Sequence, residues 1–129
     1  MNRTLLFPLA LLVIAGCVKA PLEGRRDPYS PSQIHFAQND LRKMTAVGEP
    51  APSRDQAGSI LYVTIPIRAA TNKQLYVDYR VTFFDRNGQV LNQTGWLTKV
   101  LPPNTPDQIV VNSNGPQAAD FQVDFRWAH

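Results

Sequence analysis

Residues 75–85 read Leu-Tyr-Val-Asp-Tyr-Arg-Val-Thr-Phe-Phe-Asp, and their order decides the fold class. Leu75, Val77, Tyr79, Val81 and Phe83 share one parity, while Tyr76, Asp78, Arg80, Thr82 and Phe84 share the other. Successive side chains of an extended chain point to opposite sides, so this alternation of β-branched and aromatic residues describes a strand with one buried face. A helix would instead place apolar residues three and four apart.

The pattern recurs on both sides of that stretch. In Ile60-Leu61-Tyr62-Val63-Thr64-Ile65-Pro66-Ile67-Arg68, Leu61, Val63, Ile65 and Ile67 take the inward parity. Near the C-terminus, Phe121, Val123, Phe125 and Trp127 alternate with Gln122, Asp124 and Arg126. Pro66 has no N–H to give a ladder, which predicts a sheet edge or a bulge for its strand. Asp85-Arg86-Asn87-Gly88 lies between two β runs, with Gly88 suited to the left-handed position that closes a hairpin. Thr71-Asn72-Lys73 and Pro102-Pro103-Asn104 make further short connections, and residues 89–101 and 107–112 supply two more strands before a loop at 112–116.

Residues 34–58 are less decided. Ile34, Ala37, Leu41 and Met44 approach helical spacing, whereas Ile34-His35-Phe36 and Met44-Thr45-Ala46-Val47 read equally as two short strands around Asn39-Asp40. The strand reading is preferred, and residues 49–58, with two prolines and a glycine, read as a loop. Strand after strand with no long helix between them gives an all-β fold, expected as an immunoglobulin-like antiparallel β-sandwich of about six to seven strands.

The N-terminus has a different character. Met1-Asn2-Arg3 is followed by an uncharged apolar run from Leu5 to Ala15, too short for the roughly 20 residues that span a bilayer but of the length of a signal-peptide core. Ile14-Ala15-Gly16-Cys17 resembles the bacterial lipobox, in which a branched apolar residue and two small residues precede a cysteine whose thiol takes a diacylglyceryl group. That resemblance implies cleavage after residue 16, lipidation of Cys17 and insertion of its acyl chains into a membrane. Several long chains at about 0.8 kcal/mol per buried methylene make a permanent anchor. Val18, rather than Asp, follows the cysteine, which by similarity to the enterobacterial sorting pattern implies the outer membrane of a Gram-negative cell, periplasmic side. Residues 1–16 are thus expected to be a signal peptide, 17–33 a lipidated terminus and Pro-rich tether, and 34–129 the sandwich domain.

Composition narrows the remaining choices. The chain has 129 residues, with 13 Lys and Arg against 10 Asp and Glu, 11 Pro and one Cys. One cysteine makes no internal disulfide and no multi-cysteine zinc site. The basic residues are scattered, so no nucleic-acid patch forms. His35 and His129 lie in no nucleophile–base arrangement, the acids are dispersed, and Asp78 and Asp124 fall on outward parities where solvation accounts for them. The expectation is therefore no enzyme, no metal and no cofactor.

A more specific resemblance is carried by Val77–Asp85 followed by Asn87-Gly88, then Trp96, Leu101-Pro102, and the closing alternating strand from Phe121. Together these residues resemble the YcfL-type outer-membrane lipoproteins, small lipobox proteins with an immunoglobulin-like sandwich and no assigned activity. The resemblance covers residues 59–127 plus the lipobox and brings no catalytic residues with it. It implies a non-catalytic binding or structural role in the envelope. The alternatives are a lipoprotein of a secretion or envelope assembly machine and a peptidoglycan-binding module. For a protein partner, the expected face is Tyr62, Tyr76, Arg80 and Phe84, all on the outward parity of two consecutive strands that the Asn72 turn would make neighbours, because aromatics beside an arginine are the composition of a contact site.

Overall fold

The computed structural model describes residues 32–55 and 60–129. Cys17, the signal peptide and the tether lie outside the described residues. Nine strands and one short helix follow in order: β1 (Ile34–Phe36), α1 (Asn39–Met44), β2 (Thr45–Val47), β3 (Ala51–Arg54), β4 (Leu61–Ala69), β5 (Leu75–Phe84), β6 (Val90–Gln93), β7 (Leu97–Leu101), β8 (Asp107–Asn112) and β9 (Asp120–Trp127). They form two sheets packed as a sandwich.

Both sheets share one plan. In the first, β5 is central, with β9 antiparallel along one side and β7 and β6 end to end along the other; β1 adds a parallel edge outside β9. In the second, β4 is central, with β8 along one side and β2 and β3 end to end along the other. The inward parities read from the sequence meet between the sheets. Val63, Ile65, Val77, Val81, Phe83, Val123 and Phe125 are all fully buried. Each such large apolar side chain contributes about 1.5–3 kcal/mol on burial.

Several expectations are corrected. Among the described residues the strand total is nine because residues 89–101 break into β6 and β7, and because residues 51–54, expected in a loop, pair with β4 as β3. Residues 34–47 contain both readings at once: strands at each end and, between them, a six-residue helix whose Leu41 is buried. Thr45 closes that helix by donating its hydroxyl to the Leu41 carbonyl at 3.0 Å.

Pro66 lies on the central strand of its sheet, not at an edge, but it does face a bulge: residues 48–50 stand opposite only Ile65 and Pro66. Its carbonyl accepts from Gly48 N at 2.9 Å, so its missing N–H faces the same side, where β2 has ended at Val47 and β3 has not begun. The break between the two short strands is thus where a proline costs no ladder bond. The Asp85–Gly88 turn matches its reading. Gly88 has φ of 77°, and the Asp85 carboxylate accepts from Asn87 N and Gln89 N at 2.8 and 2.9 Å.

Candidate functional site

β4 and β5 are consecutive but belong to different sheets, so the Asn72 connection crosses the sandwich and makes no hairpin. This separates the residues expected to form one face. Tyr62 lies half-buried on the outer face of the β4 sheet, beside Asn112 and Ser53 in register. Tyr76, Arg80 and Phe84 lie on the outer face of the β5 sheet. Tyr76 is 54% exposed, but Phe84 is half-buried at the other end of β5. Eight residues at about 3.3 Å each place them about 26 Å apart, so they do not form a single patch.

The outer face of the β5 sheet is instead organised around Trp96, which the sequence reading left out of the site. Between the pairs Tyr79–Leu97 and Thr82–Gln93, β5 contributes Arg80 and Val81 where the facing edge contributes Thr94, Gly95 and Trp96. The extra residue makes a bulge where β6 gives way to β7. Thr94 holds it in place: its amide donates to Val81 O at 2.9 Å, and its hydroxyl accepts from Val81 N at 2.9 Å. The β7 register, continued by one residue, sets Trp96 opposite Arg80 on this outer face, its ring centroid 4.5 Å from the Arg80 guanidinium carbon and 3.9 Å from that of Arg126.

Cross-strand register supplies the rest. Asp78 stands opposite Arg126 and Thr98, and Arg80 opposite Asp124. Asp78 was expected to be solvated but is buried. It accepts from the Thr98 hydroxyl at 2.6 Å and from Arg126 Nε at 3.4 Å. Arg80 Nη2 lies 3.7 Å from Asp124, whose other oxygen accepts from Gln122 Nε2 at 3.2 Å. Two cations and two anions therefore balance on this face. Beyond them, at the end where Ala128 N donates to Tyr76 O, the paired side chains of Tyr76 and Val100 are exposed at 54% and 43%.

These groups hydrogen-bond and stack; they do not form a nucleophile–base pair. His35 lies exposed on β1 in register with Asp124, and His129 is exposed at the chain's last position. Among the described residues no three His, Cys, Asp or Glu side chains converge as metal ligands would. Arg126 and Asp124 were legible only as outward residues of their strand, since their pairing depends on the β5–β9 register. Gly95 before an aromatic, between two alternating runs, was the available signal for Trp96.

A second concave region lies at the opposite end of the sandwich. It is a cleft of about 520 Å³ lined by Arg54, Arg86, Leu91 and the 116–119 loop, where Arg54 Nη2 donates to Ala118 O at 2.6 Å. The described chain also enters the fold at this end: Gln33 O accepts from Val123 N at 2.7 Å, and Gln33 Nε2 donates to Asp120 at 3.0 Å.

Residues 32–126 match the model of a family described as protein of unknown function, DUF1425. Two solved structures are similar. Campylobacter jejuni cj0090 superposes with a TM-score of 0.64 at 16% identity, over 74% of this chain and 98% of that one. A DUF1425 family member from Shewanella sp. pv-4 gives 0.59 at 18% identity, over 66% and 79%. At such identities the likeness is one of fold. A search of curated proteins finds no match.

Proposed function

The chain belongs to the DUF1425 family, and on that premise we propose that it is a lipid-anchored envelope protein, of the YcfL type, whose sandwich binds a protein partner without catalysing a reaction. The observation that carries the binding reading is the outer face of the β5 sheet. Trp96 and two arginines are held rigidly there beside exposed Tyr76 and Val100. Tryptophan, tyrosine and arginine are the residues that dominate contact energies between proteins, and fixing them in advance lowers the ordering cost of association.

The anchoring half rests on the sequence Ile14-Ala15-Gly16-Cys17. It gives the face a direction. The chain enters the sandwich beside Asp120, whereas Tyr76 and Val100 lie at the far end of β5, so a tether starting at Cys17 would turn that pair away from the bilayer. The outer membrane, periplasmic side, is the location this reading takes from Val18.

The anchor is tested by processing in cells treated with globomycin, which blocks lipoprotein signal peptidase, with Cys17→Ser as the parallel variant. Accumulation of the precursor in both is expected. Unchanged maturation in both refutes lipidation. Enzymatic activity of the purified chain on an envelope polymer, lost on changing residues of the β5 face, would refute the non-catalytic role.

A further inference from the structure

The geometry points to Arg80 as the receptor for a carboxylate supplied by the protein partner; this rests on the partner-binding reading above and names the chemistry the partner must bring. A guanidinium has five N–H donors, and those of Arg80 are almost unspent. Its Nε is buried with no acceptor among the described residues, and its approach to Asp124, at 3.7 Å, is longer than a hydrogen bond. Asp124 already accepts from Gln122, and Asp78 is engaged by Thr98 and Arg126. Arg80 is therefore fixed by packing on Trp96 and not by hydrogen bonds to neighbouring acids.

That distinction matters energetically. A free arginine loses about 2 kcal/mol of rotamer freedom when it is fixed to grip an anion. Arg80 has already lost much of that freedom through the stack, while its side chain remains 33% exposed. Nε is out of a partner's reach and Nη2 faces Asp124, so an arriving carboxylate would meet the remaining Nη side of an oriented, planar guanidinium, the group that gives short charge-assisted bonds. Tyr76 is four residues along the same strand and the same face, about 13 Å away. The partner surface this fits carries an acidic side chain and, about 13 Å from it, an apolar one that covers Tyr76 and Val100.

The test follows side-chain N–H signals of the isotope-labelled full chain in neutral detergent while sodium acetate is titrated at constant ionic strength. The Arg80 Nε–H and Trp96 indole signals should shift together and saturate. Arg86, which is exposed and has no hydrogen bond or ion pair among the described residues, should stay still. Arg80→Lys should abolish the indole response with the remaining spectrum intact, and Trp96→Phe should weaken acetate binding by about two- to fivefold. An Arg80 signal that does not move, moves in step with Arg86, or responds more strongly to inorganic phosphate overturns the assignment. Separately, an adduct crosslinked from position 76 that forms equally in the wild type and Arg80→Gln disproves the carboxylate receptor while leaving the partner-binding reading intact. Absence of any such adduct in the wild type refutes that reading itself.

Discussion

Trp96 stacks on Arg80 with its ring centroid 4.5 Å from the guanidinium carbon, and the β5–β7 register, continued one residue past Tyr79–Leu97, sets the two opposite each other. The same ring also receives Arg126 at 3.9 Å. Trp96→Ala is expected to cost about 1–2 kcal/mol, the range for cation–π contacts that are partly desolvated. Urea unfolding measures it, with an unchanged slope indicating that the fold persists.

The glycine of the bulge between β6 and β7 and the glycine facing Pro66 respond oppositely to the same change. A Cβ on Gly95 meets nothing within 4 Å, so Gly95→Ala should alter stability by less than about 1 kcal/mol, in the stabilising direction if the chain entropy it removes dominates. A Cβ on Gly48 falls 3.0 Å from the Pro66 ring, which has little freedom to yield. Gly48→Ala should therefore destabilise by about 1–3 kcal/mol, as overpacking does. Thermal unfolding of the two variants side by side checks the contrast.

Asp78 is buried on a face that would otherwise be polar and wet, and its shortest hydrogen bond comes from Thr98 at 2.6 Å. Thr98→Val keeps the shape but removes the donor. The carboxylate is left with Arg126 at 3.4 Å, and the loss should be about 1–3 kcal/mol. An equilibrium urea curve at neutral pH measures the loss.

Asp107 begins β8 and reaches across to Lys99 of β7, joining the margins of the two sheets at 3.2 Å. Its carboxyl is held below the usual value, first by the Gln108 N–H and then, against some desolvation, by Lys99. A depressed folded-state value means the stabilisation is complete above the unfolded carboxylate's pKa of about 3.9 and is lost as pH falls through the lower folded value. The stability gap between the wild type and Asp107→Asn should thus be constant from neutral pH to about pH 4 and close below it. Partial exposure keeps the gap to about 1 kcal/mol or less and makes it shrink in salt. Unfolding curves across that pH range, at two salt concentrations, test both statements.

Parity was readable without coordinates: the alternation of Leu75 to Phe84 and of Phe121 to Trp127 assigned inside and outside correctly, because burial of one strand face is a local property of the chain. Sheet membership was not. Whether the Asn72 connection folds back as a hairpin or crosses the sandwich depends on which partners β4 and β5 find, and these are β8 and β9, remote in sequence. Tyr62 was therefore grouped with Tyr76 although the two lie on opposite outer faces. The same dependence on register hid the pairing of Asp78 with Arg126, and hence the burial of a charge expected to be solvated. Trp96 was visible as a residue, but its place over Arg80 follows from the register in which β7 pairs with β5, which is a property of the sheet and not of the local sequence.

The central claim is that the β5 face, and not the β4 face, meets a protein partner. Site-specific photocrosslinking in intact cells tests it, with the photoreactive residue placed at Tyr76 or Val100 on one face and at Tyr62 or Val110 on the other. The account predicts the same protein adduct from positions 76 and 100 and none of it from positions 62 and 110. That adduct forming from 62 and 110, or no adduct from 76 and 100, would contradict it.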